Sequence, residues 1–225
     1  MLFQDRTAAG QLLAAELVAY ANRPDVLVLA LPRGGVLVAF EVAKALNAPL
    51  DVFLVRKLGV PGNEELAMGA LAKLPGTGLA SSSVRVINHK IVRSLLLSET
   101  VIDTVAAKEQ QELERRERLY RDDRPSPSLS DRTVIIVDDG LATGSTMRAA
   151  VVAIRQQQPG RIIVAVPISS PKTCGEFKAE VDEIICAVTP EPFYAVGLGY
   201  KQFPQTTDAE VRDLLKRSAH IQPVA

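Results

Sequence analysis

The chain has 225 residues, 47% of them apolar, which is enough for a sizeable core and excludes an intrinsically disordered protein. Its 26 Lys and Arg balance 26 Asp and Glu, so no net charge draws it to nucleic acid or an anionic membrane, and any bound anion needs a local site. Two cysteines, Cys174 and Cys186, without a CxxC spacing, and two distant histidines, His89 and His220, argue against a zinc site or a disulfide framework.

The first residues lack the basic stretch and apolar run of a signal peptide, and no apolar stretch reaches the roughly 18 residues that span a membrane. A cytoplasmic protein with no membrane partner is expected. Residues 5–20 place Leu12, Leu13, Leu17 and Tyr20 at helical spacing. Val26 to Leu31 is a continuous apolar run, broken by Pro32-Arg33-Gly34-Gly35. Val36 to Leu46 is helical, and Leu50 to Val55 is a second strand closed by Arg56-Lys57. Continuous apolar strands alternating with helices predict an α/β fold, with a central parallel sheet flanked by helices.

Residues 58–82 are rich in Gly and Pro, and they read as a mobile loop with a short strand at Glu65–Ala72. Residues 90–121 look like two helices within a helical insertion or hood near 88–124. From Lys108 to Arg124 charges of both signs are mixed. That pattern suits a solvated helix with i,i+4 ion pairs, or else a cap or dimer contact. After the Arg124-Pro-Ser-Pro-Ser linker the alternation resumes. Strands are expected at Thr133–Val137, Arg161–Pro167 and Glu183–Val188, and helices at Gly144–Gln157 and Pro171–Val181. A last helix, Thr207 to Ser218, opens on a capping box, Thr207-x-x-Glu210. The whole, residues 1–225, reads as one domain.

The chemistry concentrates at 134–146. A buried strand, Val134 to Val137, is followed by Asp138 and Asp139, then by the small-residue run Gly140 to Thr146, where a helix begins. Ligands of parallel sheets bind beyond the carboxyl ends of strands. A turn of small residues at a helix N-terminus presents free N–H groups to an anion such as phosphate. Adjacent carboxylates repel phosphate but accept hydrogen bonds from neighbouring hydroxyls. A phosphorylated sugar with a vicinal diol satisfies both halves. The dinucleotide pattern GxGxxG is absent, and Ser145 stands where the P-loop lysine would be. A plain strand–helix turn capped by Asp139 accounts for neither the doubled Asp nor the small residues.

The stretch VIIVDDGLATGSTM resembles the phosphoribosyl pyrophosphate (PRPP) signature of the type I phosphoribosyltransferases, in the form closest to adenine phosphoribosyltransferases. The segments LPRGG, VRKLG and ELAMGAL, and FPQTTDAEV at 203–211, are similar to a subgroup of that family defined only by its phosphoribosyltransferase domain. The resemblance implies the type I phosphoribosyltransferase fold. It implies ribose hydroxyls on Asp138 and Asp139, and the 5′-phosphate on Ala142, Thr143, Gly144, Ser145 and Thr146. It places pyrophosphate on Arg33, Gly34, Gly35, Arg56 and Lys57, with Arg33, Lys57, Asp138 and Asp139 as the catalytic set. A parallel sheet would bring those clusters to one edge. The implied cofactor is Mg²⁺, carried by PRPP and open to ligation by Asp138 and Asp139. Asn63, Glu64 and Glu65 are polar candidates in the loop over PRPP.

The segment Phe193 to Tyr200 resembles the one in which 6-oxopurine phosphoribosyltransferases stack an aromatic ring on the base, which implies that role for Phe193 or Tyr194, with packing in the core as the equal alternative. The 6-oxopurine enzymes carry an Asp near Gly199 and an acid at the position of Ala142, so these two residues speak against a 6-oxopurine substrate. The expected activity is Mg²⁺-dependent transfer of phosphoribose from PRPP to a nitrogenous acceptor such as a nucleobase. A regulatory protein that binds PRPP or a nucleotide without turnover is the alternative, and hydrolysis or phosphorolysis of a nucleotide is a third. A homo-oligomer, commonly a dimer in the family, is implied as well.

Overall fold

The computed structural model describes residues 2–73, 83–121 and 126–219. In chain order they form α1 (Arg6–Glu16), a short 3-10 turn (Val18–Tyr20), β1 (Val26–Ala30), α2 (Gly35–Leu46), β2 (Leu50–Val52), β3 (Val55–Val60), β4 (Asn63–Lys73), β5 (Ser83–Ile87), α3 (His89–Ser94) and α4 (Glu99–Arg121). There follow β6 (Thr133–Val137), α5 (Ser145–Arg155), β7 (Arg161–Ile168), α6 (Pro171–Phe177), β8 (Glu183–Val188), a second 3-10 turn (Val196–Gly199) and α7 (Asp208–Ser218). Contacts divide the chain into two compact units.

The first unit comprises Met1–Val52, Leu129–Gly144 and Gln158–Ala225. Its centre is a five-stranded parallel sheet in the order β2-β1-β6-β7-β8. β1 and β6 are buried at every position, as expected where helices cover a parallel sheet. α1 packs on α2, β7 and β8, while α2 packs on β1, β6 and α7. The base of the β1–β6 pair is pinned by polar bonds. The Thr133 hydroxyl donates to Asp25 at 2.7 Å, and Arg132 donates to the Val26 carbonyl at 2.9 Å. Hydrogen bonds from Arg23 and Thr133 hold the Asp25 carboxyl down to about 2. Helix α7 starts where its capping box suggests, with Thr207 accepting from Glu210 N and Glu210 accepting from Thr207 N.

The second unit comprises Phe53–Ser128 and Ser145–Gln157. Here β3, β4 and β5 form an antiparallel sheet carrying α4 and α5. Two expectations are corrected. Residues 58–73 are not part of a loop with one short strand, because Pro61-Gly62 forms the turn of a β3–β4 hairpin; residues 74–82 lie outside the described residues. The second strand also stops at Val52, so Arg56 and Lys57 lie inside antiparallel β3, opposite Leu71 and Ala70, rather than at the end of a parallel strand. On α4 the i,i+4 pairing is present, with Arg116 and Glu112 at 2.7 Å. Yet Ile102, Ala106, Leu113 and Tyr120 are buried, and Glu109 and Glu117 reach Arg56 and Lys73 of the sheet at 2.6 and 2.7 Å. The helix is therefore a packed cover with one solvated face. Residues 122–125, the end of the expected insertion, lie outside the described residues.

A third correction concerns sulfur. Cys174 and Cys186 are disulfide-bonded, with Cα atoms 6.5 Å apart. Helix α6 folds back on β8, and this brings together two residues whose spacing carries no motif.

The sheet supplies the stability on which the site rests. Replacing Ile135, fully buried in β6, by Ala is expected to cost about 2–5 kcal/mol. Thr207→Ala, which removes only the α7 cap, should cost about 1 kcal/mol. Urea denaturation of both variants checks the order.

Candidate functional site

At the upper end of the sheet Leu31 N donates to the Val137 carbonyl at 2.9 Å, so the β1 and β6 strands release their chains side by side. From β1 the chain turns through Pro32 to Gly35 into α2, with a cis Pro32–Arg33 peptide bond. From β6 it runs into Asp138 and Asp139. The two turns touch. A Cβ on Gly34 would lie 1.9 Å from Asp139 Oδ2, and one on Gly35 would lie 2.9 Å from the Cα of Asp138. No side chain fits at either position, which is why the turn is a glycine pair.

The acid pair is held unequally. Asp138 accepts at Oδ1 from Asp139 N at 2.8 Å. Asp139 accepts at Oδ2 from Arg6 Nε at 2.8 Å, with only 7% of the arginine side chain and 17% of the aspartate exposed. The Tyr200 hydroxyl donates to the Asp139 carbonyl at 2.5 Å. Burial pushes the Asp138 carboxyl well above the usual range, and the neighbouring Asp139 charge adds to it. Asp139 is also raised by burial, against the opposing pull of Arg6. Burial and the Asp139 charge raise the Tyr200 phenol, so it stays a donor.

Beyond the acids the loop is braced from below. Leu141 N donates to the Ile168 carbonyl at 2.9 Å, and the Thr173 hydroxyl donates to the Ala142 carbonyl at 2.9 Å. Thr173 is itself set by Ser170, which caps α6 by accepting from Thr173 N. Ala142 and Thr143 are exposed, whereas Gly144 is buried at φ +73°, a left-handed conformation that favours glycine. Ser145 and Thr146 open α5 in the second unit.

Of the residues singled out by sequence, the first unit gathers Gly34, Gly35, Asp138 and Asp139 in direct juxtaposition, with Ala142, Thr143 and Gly144 following in the same loop. Arg33 points its Nη1 at Asp208 Oδ1, 3.8 Å away. Arg56 and Lys57 belong to the second unit, where Arg56 is paired with Glu109. Phe193 is half-buried against the cluster of Phe3, Ala9, Ile168 and Tyr200, while Tyr194 is 79% exposed.

Three residues of this site carry no motif: Arg6, Tyr200 and Thr173. Arg6 opens α1 directly after its N-cap Asp5, whose carboxylate accepts from Ala8 N at 2.9 Å, so a cation there has an acid neighbour and nothing local sets it apart.

The raised acids make stability depend on pH in a definite sense. A carboxyl whose folded pKa exceeds its unfolded value, roughly 3.9, binds more protons when folded. Its contribution favours folding at low pH and is lost as pH rises through the folded value. Asp138→Asn stays neutral throughout. It is expected to be more stable than the parent protein at pH 7 and to lose that advantage near pH 4, which urea titrations at both pH values would show.

Comparison with known proteins agrees with this geometry. The family described as "Phosphoribosyl transferase domain" matches residues 4–201. Proteins from two strains of Mycobacterium tuberculosis, each named "Putative phosphoribosyl transferase", are 45% identical over 217 residues, covering 96% of this chain and 47% of their own length. The chain thus spans about half the length of these curated relatives. The crystal structure of TT1426 from Thermus thermophilus is 39% identical, with a TM-score of 0.78, covering 96% of this chain and 99% of that one. With its parallel sheet, its acid pair at the end of β6 and a match over residues 4–201, the chain belongs to the phosphoribosyl transferase domain family.

Proposed function

We propose that the chain catalyses Mg²⁺-dependent transfer of a phosphoribosyl group from PRPP to a nitrogen of a nucleobase-like acceptor, with release of pyrophosphate. The observation that carries this reading is the contact of the acid pair with the glycine turn. Asp138 and Asp139 lie directly against Gly34 and Gly35 at the ends of neighbouring strands. Acceptors for two sugar hydroxyls and a backbone approach for a phosphate chain stand within one small region.

In the proposed reaction the bond from ribose C1 to the pyrophosphate oxygen breaks, and the electron pair leaves with pyrophosphate. The acceptor nitrogen forms the new bond to C1 and loses its proton to the departing pyrophosphate or to water. Positive charge develops on the ribose, as in glycoside cleavage. Asp138 and Asp139 accept from the ribose hydroxyls and lie near that charge. Ala142 to Thr146 take the 5′-phosphate through loop amides and hydroxyls. Arg33, with Gly34 and Gly35, takes the pyrophosphate, and its guanidinium meets the charge that grows as the bond breaks.

Mg²⁺ suits the residues present. Among the described residues no group of three or more His, Cys, Asp or Glu forms a metal cage. Two adjacent carboxylates are hard oxygen donors of the kind that share Mg²⁺ with substrate phosphates. When bound, the ion would screen the negative charge of the pyrophosphate. A homodimer and a cytoplasmic setting belong to the same proposal. Among the described residues no helix is long and apolar enough to cross a membrane.

One feature favours a second reading, a regulatory protein that binds PRPP or a nucleotide without turnover. Ala142 stands exposed in the phosphate loop and offers no side chain to accept a proton from the acceptor. Pyrophosphate release from Mg-PRPP across a panel of bases separates the readings, since turnover with any base removes the regulatory one. The Asp138→Asn, Asp139→Asn double variant should bind Mg-PRPP at least about 100-fold more weakly, given ~1.5–3 kcal/mol for each hydrogen bond to a charged group. Calorimetric titration checks this, and wild-type affinity in the double variant would sink the assignment.

A further inference from the structure

Arg6 is a buried cation at the meeting point of four segments of the first unit. Its Nε donates to Asp139 Oδ2, and its Nη1 donates to the Pro204 carbonyl at 2.8 Å. The guanidinium carbon lies 3.7 Å from the centre of the Phe203 ring. A Cβ on Gly34 would be 3.0 Å from its Nε. Phe203 is held in turn by Tyr200, with ring centres 4.9 Å apart, and Tyr200 by Phe3 at 5.4 Å. Burying a guanidinium is costly unless it is paired and hydrogen-bonded, and here a carboxylate, a carbonyl and an aromatic face all meet it.

The pairing is selective. Arg6 engages Oδ2 of Asp139, while the nearer contact of Asp138 is a backbone N–H. A carboxylate anchored at one oxygen has its rotation fixed, and its other oxygen then points in one direction. We propose that Arg6 is a positioning residue for the sugar diol. By clamping Oδ2 it orients the remaining oxygen of Asp139 toward a ribose hydroxyl, and Phe203 and Pro204 keep the guanidinium in the plane that does so. The ligand class it serves is a phosphorylated sugar with free neighbouring hydroxyls. This rests on the ribose-site reading given above. Arginine suits the task better than lysine, because its planar fork fixes direction where an ammonium supplies only charge.

The role predicts a loss of selectivity rather than a general loss of binding. Isothermal titration would compare ribose 5-phosphate with 2,3-dideoxyribose 5-phosphate in the intact chain. The wild type should favour the diol by about 10- to 100-fold, the range expected for hydroxyls bonded to charged acceptors. Arg6→Gln should bring that ratio below about threefold while affinity for the dideoxy sugar stays near wild type. Arg6→Lys should retain an intermediate ratio. Asp139→Asn should lower the ratio as Arg6→Gln does, and the double variant Arg6→Gln, Asp139→Asn should lose no more than either alone, as residues acting through one contact do. If Arg6→Gln fails to fold, judged by near-UV circular dichroism, then Arg6→Lys and Phe203→Leu carry the test through the same ratio.

A wild-type ratio in the folded Arg6 variants would overturn the positioning role and leave the ribose site standing. Equal weakening of both sugars would overturn it too, because that is the mark of a merely structural residue. A wild type that binds both sugars equally, or neither, would overturn the ribose-site reading itself.

Discussion

The parallel pairing of β1 with β6 is the constraint on which the candidate site depends. The two strands run in register from Val26 opposite Thr133 to Ala30 opposite Val137, and both are fully buried. Both faces of each strand pack against covering side chains, so a slip of register would break close packing on both sides. Asp25, Thr133 and Arg132 fix the lower end by hydrogen bonds. The upper end is therefore fixed too. Two segments far apart in sequence, 33–35 and 138–139, leave the sheet at one level and in contact. Neither segment could form the site alone. The glycine pair has no side-chain acceptor for a sugar, and the acid pair has no charge that would attract a phosphate.

That contact is bought at a cost in stability. Two carboxylates in sequence, partly removed from water, oppose each other's ionisation and pull against folding at neutral pH. Groups placed for chemistry commonly oppose the stability of the fold that holds them. Arg6 offsets part of the strain on Asp139 and leaves Asp138 with a backbone amide as its hydrogen-bonding partner. The two acids thus differ in environment although they are neighbours. Unequal surroundings of this kind let adjacent carboxyls take different tasks.

Much of this was legible in the sequence, and what was not has a physical reason. Buried parallel strands read as apolar runs, so β1, β6 and β7 are found close to their true bounds. The acid pair and small-residue loop announce themselves because no ordinary strand–helix turn requires them. The β3–β4 hairpin was hidden by its own glycines, which signal a loop when their spacing to pairing partners is unknown. The Cys174–Cys186 bond was invisible, because it depends on how α6 returns to β8. Composition does not separate the neighbours Phe193 and Tyr194, of which the first packs half-buried against the Phe3, Ala9, Ile168 and Tyr200 cluster and the second stands exposed. Arg6 lies 133 residues from Asp139, and no local pattern in the sequence links the two.

The path by which Arg6 reaches Asp139 shows that the sheet alone does not complete the site. Phe3 donates its N–H to the Gly199 carbonyl at 2.8 Å and accepts from Lys201 N at 2.8 Å, and Gln202 N donates to the Gln4 carbonyl at 3.0 Å. These bonds zip residues 3–4 to residues 199–202 as a short parallel bridge. The bridge stacks Phe3 on Tyr200 and sets Tyr200 beneath the Asp139 carbonyl. It also brings Phe203 and Pro204 over the side chain of Arg6, which begins its helix two residues after the zipped segment. A guanidinium fixed on three sides cannot follow the acid if the acid turns, so the acid must keep its orientation. Two segments outside the sheet thereby fix a carboxylate that the sheet only delivers to its place.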